Sequence, residues 1–272
     1  MRGAWRLGVL GAVAATIGVA GAVALDACSP FEATQEPPAA DASAADVGSD
    51  AGATSDAPGA CDPGAPFACD GATACLDFED TPPTPLSDGL QGPFADITNS
   101  RDPNVLLEIA GDGGVGCGHA LHGAVTGDAG GEKRGELDLP ATPAPAQITV
   151  EARVRVPSAA VDCRIVDVEY DLPDAGTGRV FAAATGANGF KLDSDGFGFD
   201  GSGQVARTGG YQRIVVVVPF GGTPNMRVDD GPLLTATPIL PVRPGSQRIK
   251  VFLGPKADRA PCEVWIDRVL VR

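Results

Sequence analysis

The chain has 272 residues, a length for one large domain or two small ones. Its 35 acidic and 20 basic residues give a formal net charge of −15, which excludes an electrostatic nucleic-acid binder, since that needs a basic footprint. Aromatic residues make up only 5%, yet a hydrophobic share of 43% still suffices for a packed core.

Arg2 and Arg6 flank the start of an uncharged run, residues 7–25, rich in Ala, Gly and Val. A basic start before an apolar run is the pattern of a secretory signal. The run is also long enough to be weighed as an uncleaved membrane anchor, because ~20 helical residues cross the hydrocarbon core. Type I cleavage after Ala22-Val23-Ala24 is a further reading. The favoured one is lipoprotein processing: Leu25-Asp26-Ala27-Cys28 resembles the bacterial lipobox, with Asp26 where an uncharged small residue is usual. Cysteine parity supports it. Lipidating Cys28 leaves Cys61, Cys69, Cys75, Cys117, Cys163 and Cys262, an even set suited to disulfides in an oxidising compartment. Residues 1–27 are therefore expected to be a lipoprotein-type signal peptide and Cys28 the lipidated residue. The expected address is the bacterial cell envelope, with secretion as the alternative. Ser29 after Cys28 resembles lipoproteins sorted to the outer membrane.

Residues 28–60 are mostly Ala, Asp, Pro, Ser, Thr and Gly, with almost no large apolar side chain after Phe31. Such a stretch buries too little apolar surface to offset its ordering entropy, so a disordered tether is expected. Residues 61–74 form a cysteine-containing lead-in. Cys61, Cys69 and Cys75 lack the close CxxC pairs and neighbouring histidines of a zinc site, so disulfides are expected there. Cys163 and Cys262 are expected to pair across the domain that follows.

From Cys75 onward helical periodicity is absent and period-two alternation recurs. In residues 147–156 every even position is apolar and every odd one polar, the pattern of a strand with one buried face. Further β-rich runs lie at 105–109, 135–139, 164–170, 179–183, 211–218, 248–253 and 263–271. Pro173-Asp174-Ala175-Gly176, Asp195-Gly196, Gly209-Gly210, Asp229-Asp230-Gly231 and Pro244-Gly245 punctuate them as turns. The run 215–218 reads as a central strand buried on both faces. Many short strands with Gly/Pro turns predict an all-β fold, an antiparallel β-sandwich over residues 75–272.

Six segments in order resemble the LamG-like, concanavalin A-like jelly roll. They are Cys75-Leu76-Asp77-Phe78-Glu79-Asp80, Gly118-His119-Ala120-Leu121-His122-Gly123, the strand at 148–157, Tyr211-Gln212-Arg213-Ile214-Val215-Val216, Met226-Arg227-Val228-Asp229-Asp230-Gly231 and Ile266-Asp267-Arg268-Val269-Leu270-Val271. His122 stands where an aromatic is common and Arg153 at the usual tryptophan. The resemblance implies an antiparallel jelly-roll β-sandwich, carbohydrate binding as the usual occupation, and calcium at a sheet rim.

Three sets of residues are candidates for chemistry. Asp167, Glu169 and Asp171 stand at i, i+2 and i+4 of a strand and share one face, as glycosidase carboxylates do around a scissile bond. Laminarinase-type hydrolases on this fold carry E-x-D-x-E. Aligning Asp167 and Glu169 with its last two acids puts Ile165 at the nucleophile, so the expectation is a polar strand face and no catalysis, with the triad as the enzymatic alternative. Asp193, Asp195 and Asp200 form an oxygen-rich loop that suits calcium, but Phe197 and Gln204 occupy positions where an EF-hand loop needs oxygen ligands. A hairpin about Ser194-Asp195-Gly196 is preferred, and no cofactor is expected unless it is calcium. Cys117, His119 and His122 suggest a metal, yet His119 and His122 would point to opposite faces of a strand. Trp265 reads as a core residue.

The expected protein is thus an envelope-anchored extracytoplasmic binding module for carbohydrate, non-catalytic. The alternatives are a glycoside hydrolase or polysaccharide lyase using residues 167–171, and a structural module that docks envelope proteins through an exposed apolar patch. Its expected partners are the membrane, through the lipid, and carbohydrate or envelope proteins, with no nucleic acid.

Overall fold

The computed structural model describes residues 68–272, apart from 88, 90, 100, 112, 116–117, 141–144, 158–162, 173–175, 187–188, 195–202, 237–247 and 259–260. Residues 1–60, expected to be a signal segment and a tether with Cys28 between them, lie outside the described residues, as do Cys61 and Cys117. The strands, in chain order, are β1 Ala74–Leu76, β2 Thr84–Pro85, β3 Asp96–Thr98, β4 Val105–Ala110, β5 Ala120–Val125 and β6 Gly131–Glu132. There follow β7 Arg134–Leu139, β8 Gln147–Arg155, β9 Cys163–Leu172, β10 Gly176–Thr185, β11 Gly189–Ser194 and β12 Val205–Ala206. The last five are β13 Gln212–Pro219, β14 Asn225–Val228, β15 Leu234–Thr235, β16 Ile249–Ala257 and β17 Cys262–Val271.

They form two antiparallel sheets of a jelly-roll β-sandwich. The nine-stranded sheet runs β15-β14-β13-β8-β17-β5-β4-β2, with β1 also paired to β17. The eight-stranded sheet runs β12-β11-β10-β9-β16-β7-β3, with β6 also paired to β16. Alternation in sequence becomes alternation in burial. On β8, Ile148, Val150, Ala152 and Val154 enter the core while their neighbours face outward. On β9 the inward set is Cys163, Ile165, Val166, Val168 and Tyr170, and the break after Ile165 is a bulge against β10.

Two expectations are corrected. The run 215–218 is not buried on both faces: Val216 and Val218 enter the core, while Val215 and Val217 lie half-buried on the outer face of β13. The antiparallel pairing of β13 with β8 and β14 leaves that face without a covering layer of helices, so alternation is retained. Trp265 is not a core residue. It stands on the outer face of β17, between inward-facing Val264 and Ile266.

The disulfide Cys163–Cys262 joins β9 to β17 and so ties one sheet to the other across 99 residues of chain. Cys69–Cys75 closes the start of the domain onto β1. At Gly123 the sheets approach closely, since a Cβ there would lie 2.2 Å from Pro255 Cδ. Gly254, at φ +122° beside that proline, allows the kink that breaks the β16–β9 register.

Candidate functional site

The outer face of the eight-stranded sheet carries a dense set of charged side chains. Its rows follow from the register. In one row Asp193 of β11, Phe181 of β10, Asp167 of β9, Phe252 of β16 and Glu136 of β7 lie side by side. The next places Arg179, Glu169, Lys250 and Asp138 together. On the other side of the first row, Lys191, Ala183, Arg164 and Lys256 are cross-strand neighbours.

These rows explain what the acidic strand does. Asp167, Glu169 and Asp171 do share the outer face of β9. Asp167 is 0% exposed and accepts from the Arg134 guanidinium, which also binds Glu132. Glu169 accepts from Arg179 Nε at 2.6 Å. Asp171 accepts from the Thr177 hydroxyl at 3.0 Å. Each carboxylate is thus held by a partner on its own face, and the innermost is covered by Arg134. Burial pushes the Glu132 carboxyl up, but Arg134 and Lys256 outweigh it and hold it below its ordinary value. Both phenylalanines are capped by cations: the Arg164 guanidinium lies 3.8 Å from the Phe181 ring centroid, and Arg134 and Lys250 lie over Phe252.

A half-open cleft of about 150 Å³ lies on this face, lined by Arg164, Lys191, Lys256, Asp193, Asp258 and Phe181, with Ala183 at its floor. Its origin is a small residue in a row of long ones. Ala183 projects a single methyl between Lys191 and Arg164, and their longer side chains form the rim. The Cys163 end of the inter-sheet disulfide also lines it. Lys191 lies 3.6 Å from Asp193, and Lys256 lies 2.9 Å from Glu132.

The calcium alternative falls partly in this region. Asp193 sits at the cleft rim, paired with Lys191 and accepting from the Ser194 amide at 2.8 Å. Asp195 and Asp200 lie outside the described residues. The hairpin expected about Ser194-Asp195-Gly196 likewise lies outside the described residues beyond Ser194; on either side of them β11 pairs with β12, which sets Gly189 opposite Ala206 and Phe190 opposite Val205. Among the described residues, no group of three or more His, Cys, Asp or Glu side chains is placed to hold a metal.

The nine-stranded sheet carries a different row on its outer face: Glu108, His122, Trp265 and Arg155. His122 stacks on Trp265 with ring centroids 3.9 Å apart, and the Arg155 guanidinium lies 4.7 Å from the same ring. Gly113 packs so near the indole that a Cβ there would lie 2.0 Å from Cζ3. The indole is therefore enclosed, and it offers no bare face for a sugar to stack on. His122 lies between Glu108 (3.0 Å) and Glu263 (3.4 Å), whereas His119 precedes β5 and its Nδ1 lies 3.3 Å from the Phe78 carbonyl. The two histidines do not converge.

Beneath the loop that carries Gly113, Asp267 is 0% exposed and accepts from the Val115 amide at 2.9 Å. Burial pushes its carboxyl above the ordinary value, against the opposing Val115 amide and Arg268, and the Glu79 charge adds to the rise. Burial likewise raises the Tyr211 phenol, whose hydroxyl donates to the Gly113 carbonyl.

Sequence reasoning singled out Asp193 but missed Arg164, Lys191 and Lys256 as a set. Their only sequence signal was a cation at an outward position of three separate strands.

No protein-family profile matches the chain, and no curated protein does. Solved structures do. An alginate lyase of polysaccharide lyase family 7 is similar over 61% of this chain and 81% of its own, at 14% identity and a TM-score of 0.41. A carbohydrate esterase from the Shiga toxin-encoding bacteriophage phi24B is similar over 74% of this chain and 97% of its own, at 14% identity and a TM-score of 0.46. A Trypanosoma rangeli sialidase is similar over 77% of this chain and 32% of its own, at 12% identity and a TM-score of 0.45. These are likenesses of fold, and no residue role is carried from them to this chain.

Proposed function

We propose that the chain is a lipid-anchored, extracytoplasmic carbohydrate-binding module whose binding face is the outer surface of the eight-stranded sheet, and that it is non-catalytic. The cleft over Ala183 carries this reading, because it sets charged hydrogen-bonding groups around a concavity on an open, rigid sheet. Sugar hydroxyls are served by such groups without a bare aromatic platform. The acidic strand supports binding over hydrolysis. A glycosidase needs two carboxyl groups free to reach opposite sides of one bond, and here Asp167 is covered while Glu169 is bound to Arg179. A docking role for envelope proteins has less support. Leu106 (39% exposed) and Leu233 (53%) are the exposed large hydrophobics among the described residues. Leu106 belongs to β4 and Leu233 precedes β15, at opposite ends of the nine-stranded sheet, so they form no patch.

The test is a glycan screen on the exported protein, with and without calcium, coupled to an assay for reducing or unsaturated ends. Binding without new ends is expected. Release of ends that is lost in Glu169→Gln with folding intact would overturn the non-catalytic reading.

A further inference from the structure

The cleft has a charge character that the whole chain lacks. In a protein of net charge −15, Lys191, Arg164 and Lys256 converge on it from β11, β9 and β16 and outnumber the two carboxylates of its lining, Asp193 and Asp258. Arg164 and Lys256 are direct cross-strand partners, a like-charge pairing that ordinarily costs stability in a sheet. Asp193, at the rim next to Lys191, and Glu132, next to Lys256, offset part of that cost. The Arg164 guanidinium is fixed by its stack on Phe181, which sets its plane before any ligand arrives. At about 150 Å³ the cleft is smaller than the ~300–1,000 Å³ pockets that enclose drug-sized ligands. It therefore suits one charged substituent of a longer chain laid across the open face.

Building on the carbohydrate reading, we infer that the cleft is an anion subsite and that the ligand is an acidic glycan, held by a uronate carboxylate between Arg164, Lys191 and Lys256. The carboxylate takes the place between the two rim cations that Ala183 leaves open. Arg164 offers it a planar donor pair, and the lysines supply point charges from either side.

The experiment measures affinity of the full exported chain for tetra-uronates (galacturonate, mannuronate and glucuronate), each beside its methyl ester, which keeps the sugar and removes the charge. At least one acid is expected to bind at least about tenfold tighter than its ester, with the preference shrinking as salt is raised. Lys191→Gln and Arg164→Gln should each weaken acid binding about ten- to hundredfold, the range for losing a charged hydrogen bond, and weaken ester binding much less, so that the ratio of acid to ester affinity falls towards one. Ala183→Leu fills the cleft without altering a charge, and should abolish the preference for the acid while circular dichroism and the melting temperature show the fold retained. Equal binding of acid and ester, or binding of neutral glycans alone, would overturn the anion subsite and leave the carbohydrate reading standing. Failure of every glycan to bind would overturn both.

Discussion

Arg134 is the residue on which the eight-stranded face turns. It is 1% exposed, it lies over Phe252, and it binds both Asp167 and Glu132. Removing one partner of a buried ion pair leaves an uncompensated charge and costs about 3–5 kcal/mol, whereas replacing both by apolar groups is often close to neutral. Arg134→Met should therefore lower the urea midpoint strongly, and adding Asp167→Leu should restore much of the loss. If the double variant were as unstable as the single one, the pair would not be the cause. Asp267 sets a second residue-scale expectation, with the opposite sign to most acids. Its folded-state value lies above 3.8, so just above that value the folded chain holds a proton that the unfolded chain has released. Stability from this group is fully present below its unfolded value and is lost as pH rises through the folded one. Glu132 and Glu151 act in the reverse sense. Both are held below 4.5, Glu151 chiefly by its hydrogen bond from Arg213, and their contribution is lost as pH falls through their folded values. In Asp267→Asn the Val115 amide keeps an acceptor and the buried charge is gone. The stability of the variant relative to the parent should then be greater at about pH 7 than at about pH 4 by urea unfolding. An equal difference at the two pH values would refute the assignment.

At the scale of elements, the inter-sheet disulfide holds the two layers in register where the cleft opens. Cys163 and Cys262 are buried, and they close a loop of 99 residues, for which the chain-entropy model gives about 4.7 kcal/mol. Cys163→Ala with Cys262→Ala should lower stability by about 2–5 kcal/mol in urea and weaken ligand binding at the cleft, because Cys163 lines it. Unchanged stability would mean that packing of Ile165, Val264 and Ile266 alone fixes the sheets. The elements also show what was legible in the chain. β8 was readable because each of its inward residues is apolar and each outward one polar, so local pattern and tertiary role agree. Two-residue strands such as β6, β12 and β15 carry no pattern long enough to read, and exist through their partners β16, β11 and β14. The shared face of Asp167, Glu169 and Asp171 followed from strand geometry, but their partners did not. Arg134 and Arg179 meet them only once β10 and β16 flank β9 and β7 follows beyond β16. For the same reason the cleft was hidden: Lys191, Arg164 and Lys256 form one row only after the order β11-β10-β9-β16 is known. Trp265 was misread because large aromatics are usually buried by the core, whereas this one is enclosed on the outer face by His122, Arg155 and Gly113.

For the whole molecule, the proposal rests on a binding sheet held away from a membrane by a long polar tether. Among the described residues no helix is long and apolar enough to cross a membrane. The attachment proposed above is through the N-terminal segment. There the two readings of the apolar run differ in physical consequence. An uncleaved segment 7–25 anchors the chain by itself. Cleavage before Cys28 leaves no apolar run at all, and the remaining 28–60 tether has no membrane affinity of its own composition. Attachment must then come from acyl chains, and a single chain gives only marginal, reversible binding while two suffice for a stable anchor. The diacylglyceryl cysteine that the lipobox resemblance implies carries two on one residue. Cys28→Ser should accordingly move the protein from the membrane fraction to the soluble one, with the fold of residues 68–272 unchanged by circular dichroism. Intact mass of the parent protein should show a glyceride-modified product beginning at Cys28. A soluble parent beginning at Leu25 would defeat the anchored reading. A membrane-bound Cys28→Ser protein that retains residues 1–27 would instead assign anchorage to the apolar run, and place the sheet at the same tether length from the bilayer by a different physical means.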